Sequence, residues 1–260
     1  ATISSSDFPE LNVSETTNSI KISSALFQKL LSKTAFCMAS QDVRYYLNGL
    51  LIEYKDSQIT SVGTDGHRLA LATKNLNKTD IGEEIRQILP RKAVLELSKI
   101  LVQEEKEINV SFGNSYLRVQ DENLDFSTKL IDAKFPDYKK VLPSGEPNKL
   151  IILKENLQSA LNRASVLSNE KYRGVRFALS RNSLKLTANN PEQELAEEIL
   201  EVDYKGISME IGFNIGYILD VLNTIETDDV ELNFYGEEKS CLIKEPNNDS
   251  ELYVIMPMRL

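Results

Sequence analysis

The chain has 260 residues, 41% of them hydrophobic, with one histidine, two cysteines and a formal net charge of −9. That length suits one large domain or two ordinary ones with real cores, and the acidic balance argues against coating nucleic acid by bulk charge while leaving room for a local basic face. No apolar run reaches the roughly 18–20 residues of a bilayer span, and the opening "ATISSSDFPELNVSETTNS" lacks the basic start and apolar middle of a secretory signal. Cys37 and Cys241 lie far apart, which fits small core thiols in a reducing, cytoplasmic setting.

In chain order, "NSIKIS" at 18–23 predicts an extended segment. The stretch "SALFQKLLSKTAFCMAS" at 24–40 predicts a helix, with Leu26, Phe27, Leu30, Leu31 and Met38 on one face and Ser23 or Ser24 as N-cap. A polar segment, "QDVRYYLNGLLIE", follows at 41–53, then a strand-like run, "QITSVGTD", at 58–65. Asp65-Gly66 between alternating runs predicts a type I′ hairpin turn with φ positive at both residues. His67 would then start the return strand, on one face with Leu69 and Leu71, while Arg68 and Ala70 share the other. Pro90 opens a second helix, "PRKAVLELSKILVQ", with Val94, Leu97, Ile100 and Leu101 as its buried stripe. Three alternating runs, "EINVSFGN", "YLRVQ" and "LDFSTKLI", read as strands.

The pattern then begins again. "DFPEL" at 7–11 is echoed by "KFPDY" at 134–138, and "NSIKIS" by "NKLIILK" at 148–154. A helix over "ENLQSALNRASVLS" at 155–168, with Leu157, Leu161 and Ala164 inward, answers the first helix. "NEKYRGVRFALS" at 169–180 and "SLKLTANN" at 183–190 answer the polar stretch and its strand. "NIGYILDVLNTI" answers the second helix, with Ile218, Leu219, Leu222 and Ile225 inward, and "VELNFYG", "SCLIK" and "ELYVIM" close the copy as strands. The offset stays between about 124 and 130 residues. Such self-similarity is the mark of a repeated unit. The linkers are mostly too short for parallel crossovers, so antiparallel sheets are expected. The fold class is α+β: two units, each of about eight strands and two helices packed on the sheets.

The lone His67 admits three readings: a catalytic base, a metal ligand, or the wall of a site that does no chemistry. A hydrolase-like loop of Asp65, His67 and Arg68 would need a nucleophile, and no serine or cysteine motif accompanies it. One histidine and two remote cysteines do not make the usual zinc spacing. The apolar end "MPMRL" suits an adaptable binding surface, and a site for a small apolar ligand is one reading of it.

The two copies, the "TDGHRLA" hairpin and the final "YVIMPMRL", with "QDVRYYLNG", "FPDY", "LSNEKYRGVR", "TANNPEQELAEE" and "IGFN" in order, together resemble the bacterial sliding clamp, the β subunit of DNA polymerase III. The resemblance covers essentially the whole chain. It implies the second and third of that family's three DNA-clamp domains, at 18–137 and 138–260, with 1–17 as the tail of a first domain and its linker, and hence a fragment of a longer protein. It further implies a non-catalytic, cytoplasmic processivity factor without metal or cofactor. Such a factor is a head-to-tail homodimer in its full-length form, encircling double-stranded DNA without sequence preference. It tethers the polymerase III catalytic subunit, the clamp loader and other polymerases through short linear motifs.

The residues carried over by motif fall in three groups. A hydrophobic peptide pocket would be lined by Leu47, Thr64, Gly66, His67, Arg68, Leu69, Pro136, Val141, Tyr172, Asn214, Tyr217, Ser240, Val254 and Ile255. The tail Met256, Pro257, Met258, Arg259 and Leu260 completes it, with Lys140 where the family often has arginine. DNA contacts would come from Gln41, Arg44, Tyr45 and Tyr46 on a loop, and from Arg91 and Lys92. Lys29, Lys33, Lys99, Lys154 and Arg163 would add to a basic helix face. The subunit interface would use Val166 and Leu167 with Glu192, Glu194, Glu197 and Glu198; without the first domain the fragment is expected to be monomeric or to form only non-native dimers.

Overall fold

The computed structural model describes residues 16–76, 84–101 and 105–259; the "DFPEL" echo and Leu260 lie outside them. The first unit runs β1 (Thr16–Ser23), α1 (Ser24–Ala35), β2 (Gly49–Lys55), β3 (Gln58–Thr64), β4 (Arg68–Asn75), β5 (Ile85–Pro90), α2 (Arg91–Ile100), β6 (Glu107–Gly113), β7 (Tyr116–Gln120) and β8 (Asp125–Lys129). The second repeats the order: β9 (Asn148–Leu153), α3 (Lys154–Ser165), β10 (Gly174–Ser180), β11 (Ser183–Asn189), β12 (Leu195–Glu201), β13 (Met209–Asn214), α4 (Ile215–Thr224), β14 (Asp229–Phe234), β15 (Cys241–Lys244) and β16 (Glu251–Ile255). The sheets are ordered β1-β6-β7-β8, β12-β11-β10-β13 and β5-β2-β3-β4-β16-β15-β14-β9. The last holds half of each unit, joined where β4 meets β16 in register from Ala72↔Glu251 to Arg68↔Ile255. Every ladder between named strands is antiparallel.

Local chemistry accounts for the helices. The Ser23 hydroxyl accepts from the Leu26 amide at 3.1 Å, and Asn214 Oδ1 accepts from the Tyr217 amide at 3.3 Å, so α1 and α4 are side-chain capped. Helix α1 ends at Ala35, short of the predicted Ser40, because the chain turns into a loop whose Ala39 amide reaches the Leu47 carbonyl. Cys37 and Met38 are buried beyond the helix end, so their apolar spacing reflects burial and not helical periodicity. Helix α3 likewise stops at Ser165. In α2, Ile100 is 42% exposed, against expectation. The helix ends there, and the extended Leu101 that follows turns into the core instead.

The cores divide three ways. One fills the first unit between α1, α2 and the sheets, around Phe27, Leu30, Leu50, Tyr54 and Val110. One fills the second, around Leu157, Phe177, Phe213 and Leu222. A third lies on the opposite face of the first unit's sheet, where a strap over residues 131–142 covers Leu51, Val62, Leu69, Leu71 and Ile88 with Phe135 and Tyr138. Tyr138 donates its hydroxyl to the buried Glu53 at 3.1 Å, and Arg86 lies 2.7 Å from the other Glu53 oxygen, which pins the strap.

The joint between units is polar as well as laddered. Lys33, expected on a DNA-facing helix surface, is only 4% exposed. Its ammonium donates to the Thr224 carbonyl at 2.6 Å and sits 3.1 Å from both Glu226 and the buried Glu251. Lys29 pairs with Glu226 at 2.7 Å. Lys154 donates to the Ile225 carbonyl and Arg163 holds Glu198 at 2.7 Å, so these cations too already have partners.

Candidate functional site

The turn at Asp65 is the first element of the site. Of its residues only Gly66 has positive φ, +91°, so the turn is not type I′. Asp65 Oδ1 accepts from the His67 and Arg68 amides at 2.9 and 3.0 Å, a side-chain mimic of a turn that removes the need for a second left-handed residue. The loop is therefore one residue longer than expected, and β4 begins at Arg68. His67 stands at the turn with its side chain exposed. Its contribution is its carbonyl, which accepts from the Met256 amide at 2.9 Å and ties the hairpin of one unit to the tail of the other. Asp65 is spent on the turn and on Arg68 Nε, at 3.0 Å, which leaves no acid–base pair with His67. A hydrolase-like role for this loop has no geometric support.

Beside the turn lies a cleft of about 200 Å³. Its floor comes from Leu47, Thr64, Gly66, Arg68 and Leu69, one side from Pro136, Tyr138 and Val141 of the strap, and the far wall from Val254 and Met256. Strand alternation decides the last two: Val254 and Met256 face the cleft, while Tyr253 and Ile255 turn into the second unit's core. Ile255 is thus not a cleft residue. Met256 is 38% exposed, a flexible apolar side chain at the rim. Arg44 and Tyr46, assigned to DNA from the sequence, also line this cleft. Arg44 forms a bidentate pair with Asp42 and donates to the Asp65 carbonyl at 3.1 Å, which closes the loop over the turn. Its hydrogen bonds hold the Asp42 carboxyl well below the usual carboxylate range, at about 2.

A second cleft, about 330 Å³, lies on the other side of the tail. Tyr172, Met258 and Arg259 line it with Asn169, Gly174, Asn189, Asn190 and Pro191. The Met258 amide donates to the Gly212 carbonyl at 2.8 Å, so the tail lies against β13 and separates the two clefts. The residues assigned to one pocket from the sequence thus line two neighbouring clefts along the tail. Asn214 caps α4, Tyr217 stacks on Arg68 with its ring centroid 4.5 Å from Cζ, and Ser240 precedes β15; none of these three lines the first cleft. Pro257 is half-buried between the clefts, and Lys140 is exposed and pairs with Asp137. Tyr138 lines the first cleft but received no role from the sequence, although the "FPDY" motif contains it.

Gln41, with φ +57°, and Tyr45 are exposed on the loop before β2. Lys92 is exposed on α2, while Arg91 donates to the Met38 carbonyl at 3.1 Å. Val166 is 78% exposed beyond α3, next to the half-buried Leu167. Glu192 and Glu194 are exposed in the turn before β12, and Glu197 is exposed on β12 at the sheet's edge; Glu198 pairs with Arg163, and that hydrogen bond lowers its pKa. Among the described residues no cluster of three or more metal-ligand side chains is present, and no helix is long and apolar enough to cross a membrane.

Known proteins share this architecture. Residues 21–137 match the family model of the DNA polymerase III beta subunit central domain, and residues 139–259 that of its C-terminal domain. The chain is 45% identical to the beta sliding clamp of Vibrio cholerae and 42% identical to that of Escherichia coli, in each case over all of this chain and 70% of the relative. It superposes on a crystal structure of the Pseudomonas aeruginosa DNA polymerase sliding clamp with ligand, with a TM-score of 0.96 and 41% identity over 99% of this chain and 70% of the other. The shared repeat, the edge-joined sheets and these identities place the chain in the DNA polymerase III beta subunit family, the sliding clamps.

Proposed function

We propose that the chain works as the tethering part of a sliding clamp: the first cleft receives the apolar anchors of short linear motifs from the polymerase catalytic subunit, the clamp loader and other polymerases. The observation that carries this reading is an apolar cleft built at the joint of two repeats, with walls from the hairpin, the strap and the tail. Each apolar anchor buried there would contribute roughly 1.5–3 kcal/mol. The role is non-catalytic, in keeping with the family and with a hairpin whose polar groups are spent on structure. Units at 18–137 and 138–260 present their helices to a double-stranded DNA encircled without sequence preference. In that reading Gln41, Arg44, Tyr45, Tyr46, Arg91 and Lys92 lie nearest to it. The full-length protein closes as a homodimer through Val166, Leu167 and the β12 edge, whose exposed Leu195 and Ile199 support an edge that awaits a partner.

The test is a fluorescence-anisotropy titration of a labelled Gln-Leu-x-Leu-Phe peptide against this chain and against one ending at Ile255. Saturable binding that disappears with the tail is the expected result. Equal binding by both chains, or none by the intact one, would place recognition elsewhere.

A further inference from the structure

We propose that Asp220, which lines neither cleft, is a positioning residue for the first one. Through Arg68 it couples the seating of a peptide to closure of the joint between the units. The proposal rests on the reading of the cleft given above and names a residue that reading does not include.

Arg68 is a cleft residue whose guanidinium is held from both units. Its Nε meets Asp65 Oδ2 at 3.0 Å and its Nη2 donates to the Phe36 carbonyl at 2.9 Å, both within the first unit. Its Nη1 crosses to Asp220 Oδ2 on α4 at 2.5 Å, and its guanidinium lies on the Tyr217 ring, one turn back on the same helix. The rigid fork of an arginine can satisfy this set only in one pose. In that pose the side chain is 12% exposed and forms part of the cleft floor. The main chain of Arg68 meanwhile pairs with Ile255 at the end of the β4–β16 ladder, one residue from the bond between His67 and Met256. A ligand that needs the floor in this pose therefore favours the closed joint. By linkage, the closed joint favours the ligand to the same degree. Asp220 is the charged anchor on the far side. Without its charge the guanidinium keeps Asp65 and Phe36 but loses its charged tie to the second unit.

The experiment uses the intact chain with Asp220→Asn and Asp220→Glu. Peptide affinity is read by anisotropy, and exchange of the Met256 amide is followed with and without peptide. Asp220→Asn is expected to weaken the peptide about three- to fivefold, the scale of a partly exposed charge pair, and Asp220→Glu to recover most of the loss. Peptide should slow exchange at Met256 in the parent, and less so in Asp220→Asn. Parent-like affinity in Asp220→Asn would overturn the inference and leave the cleft reading intact. A lower Tm with undiminished peptide-induced protection would assign Asp220 to folding alone and also overturn it. Failure of the parent to bind any peptide would remove the cleft reading, and the inference with it.

Discussion

The two units share one topology, yet their central strands live in different surroundings. In the first, β2 is buried at six successive positions, Gly49 to Tyr54, and β3 at six, Ile59 to Thr64. In the second, β10 and β11 bury only alternate residues. The strap over 131–142 makes the difference: it roofs the outer face of the first sheet, while the same face of the second carries Arg176–Glu210 and Lys185–Glu197 ion pairs. A sheet with one wet face reads as alternation, and a sheet covered on both reads as a continuous apolar run. The first cleft lies on the roofed side, because its walls are the roof's edge and the neighbouring unit's last strand.

The roof carries the largest difference between the two units. Phe135→Ala should destabilise by about 3–5 kcal/mol, the usual cost of emptying an aromatic site in a core, whereas Ile199→Ala on the second unit's open sheet should stay within about 0.5 kcal/mol. Chemical denaturation of both variants measures the contrast, and equal losses would mean that the strap is not a core element. Next comes the joint. Lys33→Met leaves Glu251 buried without its cation, which should cost about 3 kcal/mol and split a single calorimetric transition into two. A single unshifted transition would show that the ladder alone carries the coupling.

The smallest effect is a pH dependence. The hydrogen bond from Lys29, opposed by burial and helped by Lys33, lowers the Glu226 pKa. A carboxyl lowered in the folded state adds stability above its unfolded pKa and loses it as the pH falls through the folded one. The advantage of the parent over Glu226→Gln should therefore be constant from pH 6 to 8, on the order of a surface pair, and shrink below about pH 4.5. An advantage that grew on acidification would show that the pair opposes folding.

Much of the fold was legible. The echo of "FPDY", the capped helix at Ser23 and the alternating strands of the second unit mark two copies of one α+β unit, because capping and periodicity are local properties. The site was legible in part. Thr64, Leu69, Val254 and Met256, grouped from the sequence, meet at the first cleft; Tyr46 reaches it from a loop read as a DNA contact, and Ile255 turns away from it.

Lys33 shows the limit most clearly. On an exposed helix it reads as a cation for phosphate, but two glutamates and a carbonyl from more than 190 residues away enclose it. The order of elements and the apolar tail follow from spacing within a few residues, and the repeat from the same local patterns recurring at a near-constant offset along the chain. Which sheet face is roofed, which residues meet at the cleft and which charges are spent at the joint are settled by packing between distant segments. Those outcomes depend on segments far apart in the chain meeting across an edge, and no local pattern encodes which edges meet.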